Sequence, residues 1–153
     1  MLPSWLVIGG VTFLIALGSS VLRPKDVKWF NRLQRPRWLT FEKAIPIIWT
    51  IVFICGAWSA YIVWEKTRNW ELMAFYALVE ITIVAYSPVL LWTRSLLNGT
   101  IVGGLGFILG LVLTFLVLPI SGTAALLLLP YLIWSPIGTY TTWAMGQLNP
   151  ESL

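Results

Sequence analysis

No charged side chain occurs between Arg94 and Glu151, so residues 95–150 form one long uncharged segment that is rich in aliphatic residues. This segment is far longer than the roughly 20 apolar residues that cross a bilayer once. Turn signals at Asn98-Gly99 and at residues 119–122 divide it into two predicted spans, at about residues 100–118 and 123–146. Four consecutive leucines at residues 126–129 contradict the alternating pattern of a membrane β-barrel.

The rest of the chain is also predominantly apolar. Only 10% of the 153 residues are charged, against about 25% in an average soluble domain. Three further apolar segments, at about residues 5–22, 44–64 and 72–92, are each long enough to cross a bilayer. We therefore predict an all-α membrane protein, a five-transmembrane-helix bundle that forms a single domain over residues 1–153.

The distribution of charge predicts an orientation in the membrane. Residues 23–43, here called the basic segment, contain seven Lys and Arg against Asp26 and Glu42, a net charge of +5, whereas residues 65–71 carry no net charge. Lys and Arg in short loops stay on the cytoplasmic side. We therefore expect the N-terminus outside and the C-terminus on the cytoplasmic side of a membrane that the sequence does not identify. Basic residues beside apolar spans indicate a partner lipid bilayer with anionic headgroups rather than a nucleic acid.

The sequence offers few groups for catalysis or metal binding. It contains no His and a single cysteine, Cys55, which excludes structural zinc sites, Cys-ligated clusters and His-ligated haem. We predict no metal site, no catalytic residue and no required cofactor, and we do not expect an enzyme.

Two aromatic motifs follow one another along the chain. Residues 29–38 read WFNRLQRPRW and residues 48–53 read IWTIVF, with Trp49 eleven residues after Trp38. This pattern resembles that of the TspO/MBR family, the tryptophan-rich sensory proteins and mitochondrial translocator protein, and residues 61–65 and 130–134 are similar to further family segments. The resemblance implies binding of a hydrophobic ligand, with a tetrapyrrole such as a porphyrin as the leading class and a lipid as another, in a sensory or regulatory role. Loop arginines would meet the porphyrin carboxylates.

The resemblance also suggests which residues form the site. The basic segment would cover a cavity whose walls are aromatic. The candidate ligand-binding residues from the resemblance are Trp29, Phe30, Trp38, Trp49, Phe53, Tyr131 and Trp134. Glu80, which is new relative to the family pattern, is added because an acidic residue inside a membrane span is a functional candidate on physical grounds.

Several positions depart from the family pattern. Two prolines that usually follow the loop tryptophan are replaced by Thr40 and Phe41. Polar residues of the third and fifth helices are replaced by Val79, Ile83 and Thr142. These departures favour an alternative function, a structural or assembly subunit of a larger membrane complex that keeps the fold but has lost the polar residues for a ligand.

Glu80 lies near the middle of the third predicted span. An acidic residue at a helix centre costs about 2.5 to 3.5 kcal/mol on insertion scales, so it is expected to face protein or ligand. A neutral carboxylic acid that forms a hydrogen bond between helices or subunits is one interpretation, and ligand contact is another. A proton relay is disfavoured because no second ionisable residue lies in a predicted span.

Small residues in the fourth span suggest close helix contacts. Gly99, Gly103, Gly106 and Gly110 include two small-xxx-small pairs. This spacing allows helices to approach closely, either within one chain or in a homodimer.

Overall fold

The computed structural model describes residues 2–20 and 22–153, and this part of the chain contains helices but no strand. Residue 1 of the predicted domain and residue 21 of the predicted first span lie outside the described residues. The α-helices are α1 (Ser4–Leu17), α2 (Pro24–Arg32), α3 (Ile45–Thr67), α4 (Trp70–Thr93), α5 (Leu96–Val117), α6 (Gly122–Leu127) and α7 (Leu129–Leu148). Three short 3₁₀ helices lie at Gly18–Ser20, Glu42–Ala44 and Pro150–Ser152.

Four helical segments in the described residues are long and apolar enough to cross a membrane: Glu42–Thr67, Trp70–Thr93, Leu96–Val117 and Gly122–Leu148. The helix α1 is apolar but shorter. Large apolar side chains point away from the bundle, and Ile108, Phe115 and Ile133 are 58%, 66% and 62% exposed. Such an apolar surface matches a lipid environment.

Side-chain caps set where several helices begin. The Asn69 side chain accepts hydrogen bonds from the backbone N–H groups of Glu71 and Leu72 at the start of α4. Ser95 accepts from the N–H of Asn98 at 3.1 Å, so α5 begins four residues earlier than predicted. The expected turn at Asn98-Gly99 was therefore wrong, because a serine N-cap competes for the same helix start.

The basic segment contains a helix that the sequence analysis did not predict. The helix α2 has Pro24 in its first turn, where its fixed φ and missing N–H suit a helix start. Asp26 lies in the first turn and Arg32 in the last, where each charge complements the helix dipole. The basic segment is thus partly a short helix.

The predicted fifth span is interrupted at Leu128, which separates α6 from α7. The N–H of Leu128 donates to the carbonyl of Ala125 rather than to that of Ala124. Ser59 Oγ donates instead to the Ala124 carbonyl at 2.7 Å and shares a second 2.7 Å hydrogen bond with the Tyr76 hydroxyl. A buried polar pair therefore satisfies the carbonyl that the helix break leaves free.

The long helices form a ring. The helix α5 packs extensively against α4 and α7, α1 packs against α3 and α4, and α3 packs against α6. The main apolar core lies among α3, α4, α5, α6 and α7, and includes Val63, Leu113 and Val117, which are 0 to 1% exposed.

The glycines of α5 are covered by side chains of the same chain. A Cβ at Gly106 would lie 2.5 Å from the Tyr131 hydroxyl, and a Cβ at Gly103 would lie 2.5 Å from Thr139 Oγ1. At Gly110 the nearest atom is in the Tyr131 ring, and at Gly99 it belongs to Leu90. Only glycine allows α4 and α7 to approach α5 this closely.

Candidate ligand-binding cavity

A cavity of about 990 Å³ lies inside the ring, in the half of the bundle that faces the basic segment. Its walls come from α1, α3, α4, α5 and α7, and residues of the basic segment cover it. The cavity lies within the upper part of the range of about 300 to 1,000 Å³ that is typical of small-molecule sites. Its lining is predominantly apolar.

An aromatic cluster forms one wall. The Trp49 ring packs edge-on against the Trp134 ring, with centroids 6.4 Å apart and planes at 88°. Trp49 also lies 6.3 Å from Phe53 and 6.4 Å from Tyr131 between ring centroids. These separations fall within the range in which aromatic pairs attract one another. The cluster joins α3 to α7.

The indole of Trp134 has an unsatisfied donor. Trp134 lines the cavity and is only 7% exposed, and its Nε1–H has no hydrogen-bond partner within the described part of the protein. An unpaired buried donor costs free energy, so a ligand acceptor that reached this N–H would be stabilised by it. The sequence indicated such a need, because Trp134 lies inside a predicted span, where an indole N–H requires a partner.

The basic segment is fixed over the cavity by Arg35. Its guanidinium donates to the backbone carbonyls of Phe30, Asn31 and Leu33, which lie at the end of α2. Nε of Arg35 donates to Glu42 at 3.0 Å. Arg35 therefore links α2 to the residues that precede α3, and Phe30 and Glu42 line the cavity beneath it.

Asp26 fixes the other end of the basic segment. Its carboxylate is 1% exposed and accepts hydrogen bonds from Arg23 at 2.5 Å and from Arg94 at 2.9 Å. Burial raises the pKa of Asp26, but the hydrogen bonds and charges of Arg94 and Arg23 outweigh that effect, so the pKa lies below its ordinary value of 3.8. The carboxylate is therefore ionised near neutral pH and attaches α2 to the end of α4.

Five of the candidate residues lie together around the cavity: Phe30, Trp49, Phe53, Tyr131 and Trp134. The remaining three are not among its lining residues. Trp29 packs against a separate apolar cluster with Leu33 and Leu90. Trp38 is 44% exposed and stacks on Tyr140 and Phe41 at the protein surface.

Glu80 is buried between α1 and α4 and does not line the cavity. Thr12 Oγ1 donates to Glu80 Oε1 at 3.1 Å. Thr12 itself lines the cavity, so Glu80 contributes to the wall through the position of Thr12. The sequence analysis did not identify Thr12, because the sequence of one apolar span does not indicate which of its residues will contact a residue of another span.

The positions that depart from the family pattern have distinct surroundings. Val79 belongs to the apolar core, whereas Ile83 and Thr142 line the cavity. The hydroxyl groups of Thr142 and Tyr86 form a hydrogen bond with each other. These two cavity groups are therefore already paired within the protein.

Comparison with known proteins agrees with this architecture. The TspO/MBR family model matches residues 6–148. The chain is 30% identical to the uncharacterized membrane protein YtaB of Bacillus subtilis over 91% of this chain and 92% of the relative. It is 28% identical to the tryptophan-rich protein TspO of Bacillus cereus, over 97% and 99% of the two chains. It is 23% identical to the tryptophan-rich sensory protein of Cereibacter sphaeroides, over 91% and 90%. With a family match over nearly its whole length and a helical ring of apolar spans, this chain belongs to the TspO/MBR family.

Proposed function

We propose that the protein binds a tetrapyrrole, with a sensory or regulatory role in the membrane. The observation that carries this proposal is the aromatic cavity with the unpaired Trp134 N–H. A flat conjugated ligand packs well against indole and phenol rings. The indole N–H then supplies one fixed hydrogen bond to an acceptor on the ligand. The name of the Cereibacter sphaeroides relative supports the sensory part of the proposal.

The free cations of the basic segment would attract the carboxylates of a porphyrin. Arg23 and Arg35 are engaged by Asp26 and Glu42. Arg32 and Lys43 are exposed and make no ion pair within residues 2–20 and 22–153. An unpaired guanidinium is well suited to a carboxylate because it presents two parallel N–H donors.

The test is a fluorescence titration of the purified, pigment-free protein with protoporphyrin IX. A ligand in the cavity should quench tryptophan emission saturably. Trp49→Leu combined with Trp134→Leu should weaken the apparent affinity at least about threefold, since aromatic pairs contribute about 0.5 to 1.5 kcal/mol each. Trp58→Leu is the matched control, because Trp58 lies on the same helix as Trp49 but is 59% exposed. Linear quenching, or an equal effect of the control, would show partitioning into the detergent or lipid instead.

A second candidate function is a structural or assembly subunit of a larger membrane complex. The pairing of Tyr86 with Thr142 favours it, because two polar groups of the cavity are engaged by each other. Purification of the native protein in mild detergent distinguishes the two functions. Pigment absorbance on a small particle supports the tetrapyrrole binder, and co-elution with many partner proteins supports the subunit.

We also propose that α1 crosses the membrane as a fifth span, with the basic segment on the cytoplasmic side. Single cysteines in a Cys55→Ala background test this orientation. Gln34 is suitable because it is exposed and bonds to Asn149 only through its backbone. Glu71, exposed in the first turn of α4, is suitable at the opposite side, since acidic residues contribute little to topology. Labelling of Gln34→Cys from the cytoplasm and of Glu71→Cys from the other side is expected, and the reverse pattern would invert the orientation.

A further inference from the structure

A second, separate groove lies outside the ring, where the basic segment meets the end of α7. It has a volume of about 590 Å³ and is bounded by residues 34–38 on one side and by Trp143, Ala144, Gln147 and Leu148 on the other. It shares no lining residue with the large cavity. Its lining contains two arginines and no acidic residue.

The two arginines of this groove have different roles. Arg35 is half-buried, and its guanidinium is engaged by Glu42 and by three backbone carbonyls. Arg37 is exposed and makes no ion pair or hydrogen bond within the part of the chain that the structure describes. One positive charge therefore faces the groove without a partner, beside the polar side chains of Gln34 and Gln147.

The groove is held in shape by contacts that do not involve Arg37. The Asn149 side chain is 3% exposed, accepts from the N–H of Gln34 at 3.0 Å and donates to its carbonyl at 3.0 Å. Asn149 also donates to the Met145 carbonyl at 2.8 Å. These hydrogen bonds fix the backbone of the basic segment against the end of α7. The two sides of the groove are therefore held at a defined distance.

An apolar strip continues from the groove along the outside of α7. The rings of Trp38 and Tyr140 stack with centroids 5.8 Å apart, and Tyr140 lies 5.7 Å from Trp143. Tyr140, Trp143 and Leu148 are 56%, 48% and 42% exposed. Tryptophan and tyrosine at such a position are typical of headgroup depth in a membrane.

We propose that this groove is a specific site for one anionic phospholipid, in which Arg37 binds the headgroup phosphate and Trp143 and Leu148 contact an acyl chain. The free charge, the absence of acidic lining residues and the adjoining exposed apolar strip are all complementary to that amphiphile. The site differs from general attraction between basic residues and the membrane, because it predicts one saturable lipid per chain. It does not depend on tetrapyrrole binding.

Native mass spectrometry of the purified protein with equal amounts of phosphatidylglycerol and phosphatidylcholine of identical acyl chains tests this proposal. We expect one phosphatidylglycerol to be retained in preference to phosphatidylcholine. Arg37→Gln should lower phosphatidylglycerol affinity about fivefold, in line with the contribution of one basic residue near a headgroup. Because Arg37 has no partner in the fold, the variant should remain folded and should quench with protoporphyrin IX as the parent does.

Lys28→Gln is the matched control, since Lys28 is exposed, carries the same charge and lies outside the groove. It should leave phosphatidylglycerol affinity within twofold of the parent. Trp143→Ala should weaken the binding of both lipids while keeping the preference for phosphatidylglycerol. Equal losses for Arg37→Gln and Lys28→Gln, equal retention of the two lipids, or displacement of the lipid by millimolar inorganic phosphate would each overturn the proposal.

Discussion

Nε of Arg94 donates a 2.9 Å hydrogen bond to Oδ1 of Asp26, which connects the end of α4 to the first turn of α2 across 68 positions of sequence. The second carboxylate oxygen accepts from Arg23. The carboxylate is buried, whereas the side chains of Arg23 and Arg94 are 63% and 47% exposed. Asp26 is therefore one point at which the cover of the cavity is attached to the membrane helices.

Asp26→Asn should lower the melting temperature at pH 7, because it removes the charge that both arginines bind. The pKa of Asp26 is lowered in the folded protein, so its stabilising effect is fully present above the ordinary value of 3.8 and is lost as the pH falls through the lower folded value. The parent should thus lose stability below about pH 4 more steeply than the variant. Thermal unfolding between pH 7 and pH 3 measures this difference. Glu151→Gln, at an exposed acid, is the control, and identical profiles for Asp26→Asn and the parent would contradict the assignment.

Arg68 and Arg94 both end helices in the left-handed conformation, with φ of 50° and 49°. Glycine adopts this conformation without the penalty of about 1 to 2 kcal/mol that other residues have. Within the described residues, the Arg68 side chain has a 3.9 Å exposed ion pair with Glu65 and a cation–π contact with Trp64. Arg68→Gly should therefore leave the free energy of unfolding within about 0.5 kcal/mol of the parent or raise it.

Arg94→Gly provides the contrast. Arg94→Gly removes the strain of the same left-handed conformation, but it also removes the hydrogen bond to Asp26. It should therefore lower the melting temperature. Equal effects of the two glycine variants in thermal unfolding would mean that the Asp26 ion pair contributes nothing.

Trp134→Phe removes the unpaired indole N–H while keeping an aromatic ring in the cavity wall. Loss of packing and loss of an unsatisfied buried donor have opposite effects on stability, so the ligand-free protein should change by less than about 1 kcal/mol. Protoporphyrin IX affinity should fall about fivefold, the value of one ordinary hydrogen bond. The titration described above measures it, with Trp58→Phe as the control on the exposed surface. Unchanged affinity would exclude a hydrogen bond from Trp134 to the ligand.

Glu80→Gln and Glu80→Leu distinguish two roles for the buried acid. Gln keeps an acceptor for the Thr12 hydroxyl and should melt like the parent. Glu80→Leu leaves Thr12 without this partner. It should lower the free energy of unfolding by about 1 kcal/mol, given the modest strength of intramembrane hydrogen bonds. Thr12→Val should cost the same, and the double variant with Glu80→Leu should lose no more than either alone. If Glu80→Gln lowered the melting temperature as much as Glu80→Leu, the result would indicate a carboxylate bound to a cation, ligand or partner.

Long apolar segments predicted the helices α3, α4 and α5 well, because a bilayer requires long runs of mostly apolar residues whatever the helices contact. The segment 72–92 matches α4 within two residues at its start and one at its end. The helix α2 was not predicted, because the spans were identified from long apolar segments, and α2 is short, with nine residues that mix polar with apolar side chains. The break at Leu128 was missed because it depends on Ser59, which the fold brings to the Ala124 carbonyl from a different helix.

The candidate site was predicted best on the membrane helices. Trp49 and Trp134 lie on regular helices whose inward faces are fixed by packing, and both line the cavity. Trp38 lies in an irregular segment, where the direction of a side chain does not follow from spacing along the sequence. The link from Asp26 to Arg94 was equally inaccessible, because opposite charges far apart in sequence have many alternative partners.

The glycine face of α5 determines how the cavity can adapt to molecules of different shape. Gly103 contributes backbone rather than a side chain to the wall, and the neighbouring glycines are tightly covered by Tyr131. A wall made of backbone has no rotamers to change, whereas Phe53 and Ile54 on α3 can change theirs. Side-chain plasticity should therefore be smaller along α5 than along α3. Structures with a series of ligands should superimpose closely along α5 and differ in the α3 side chains.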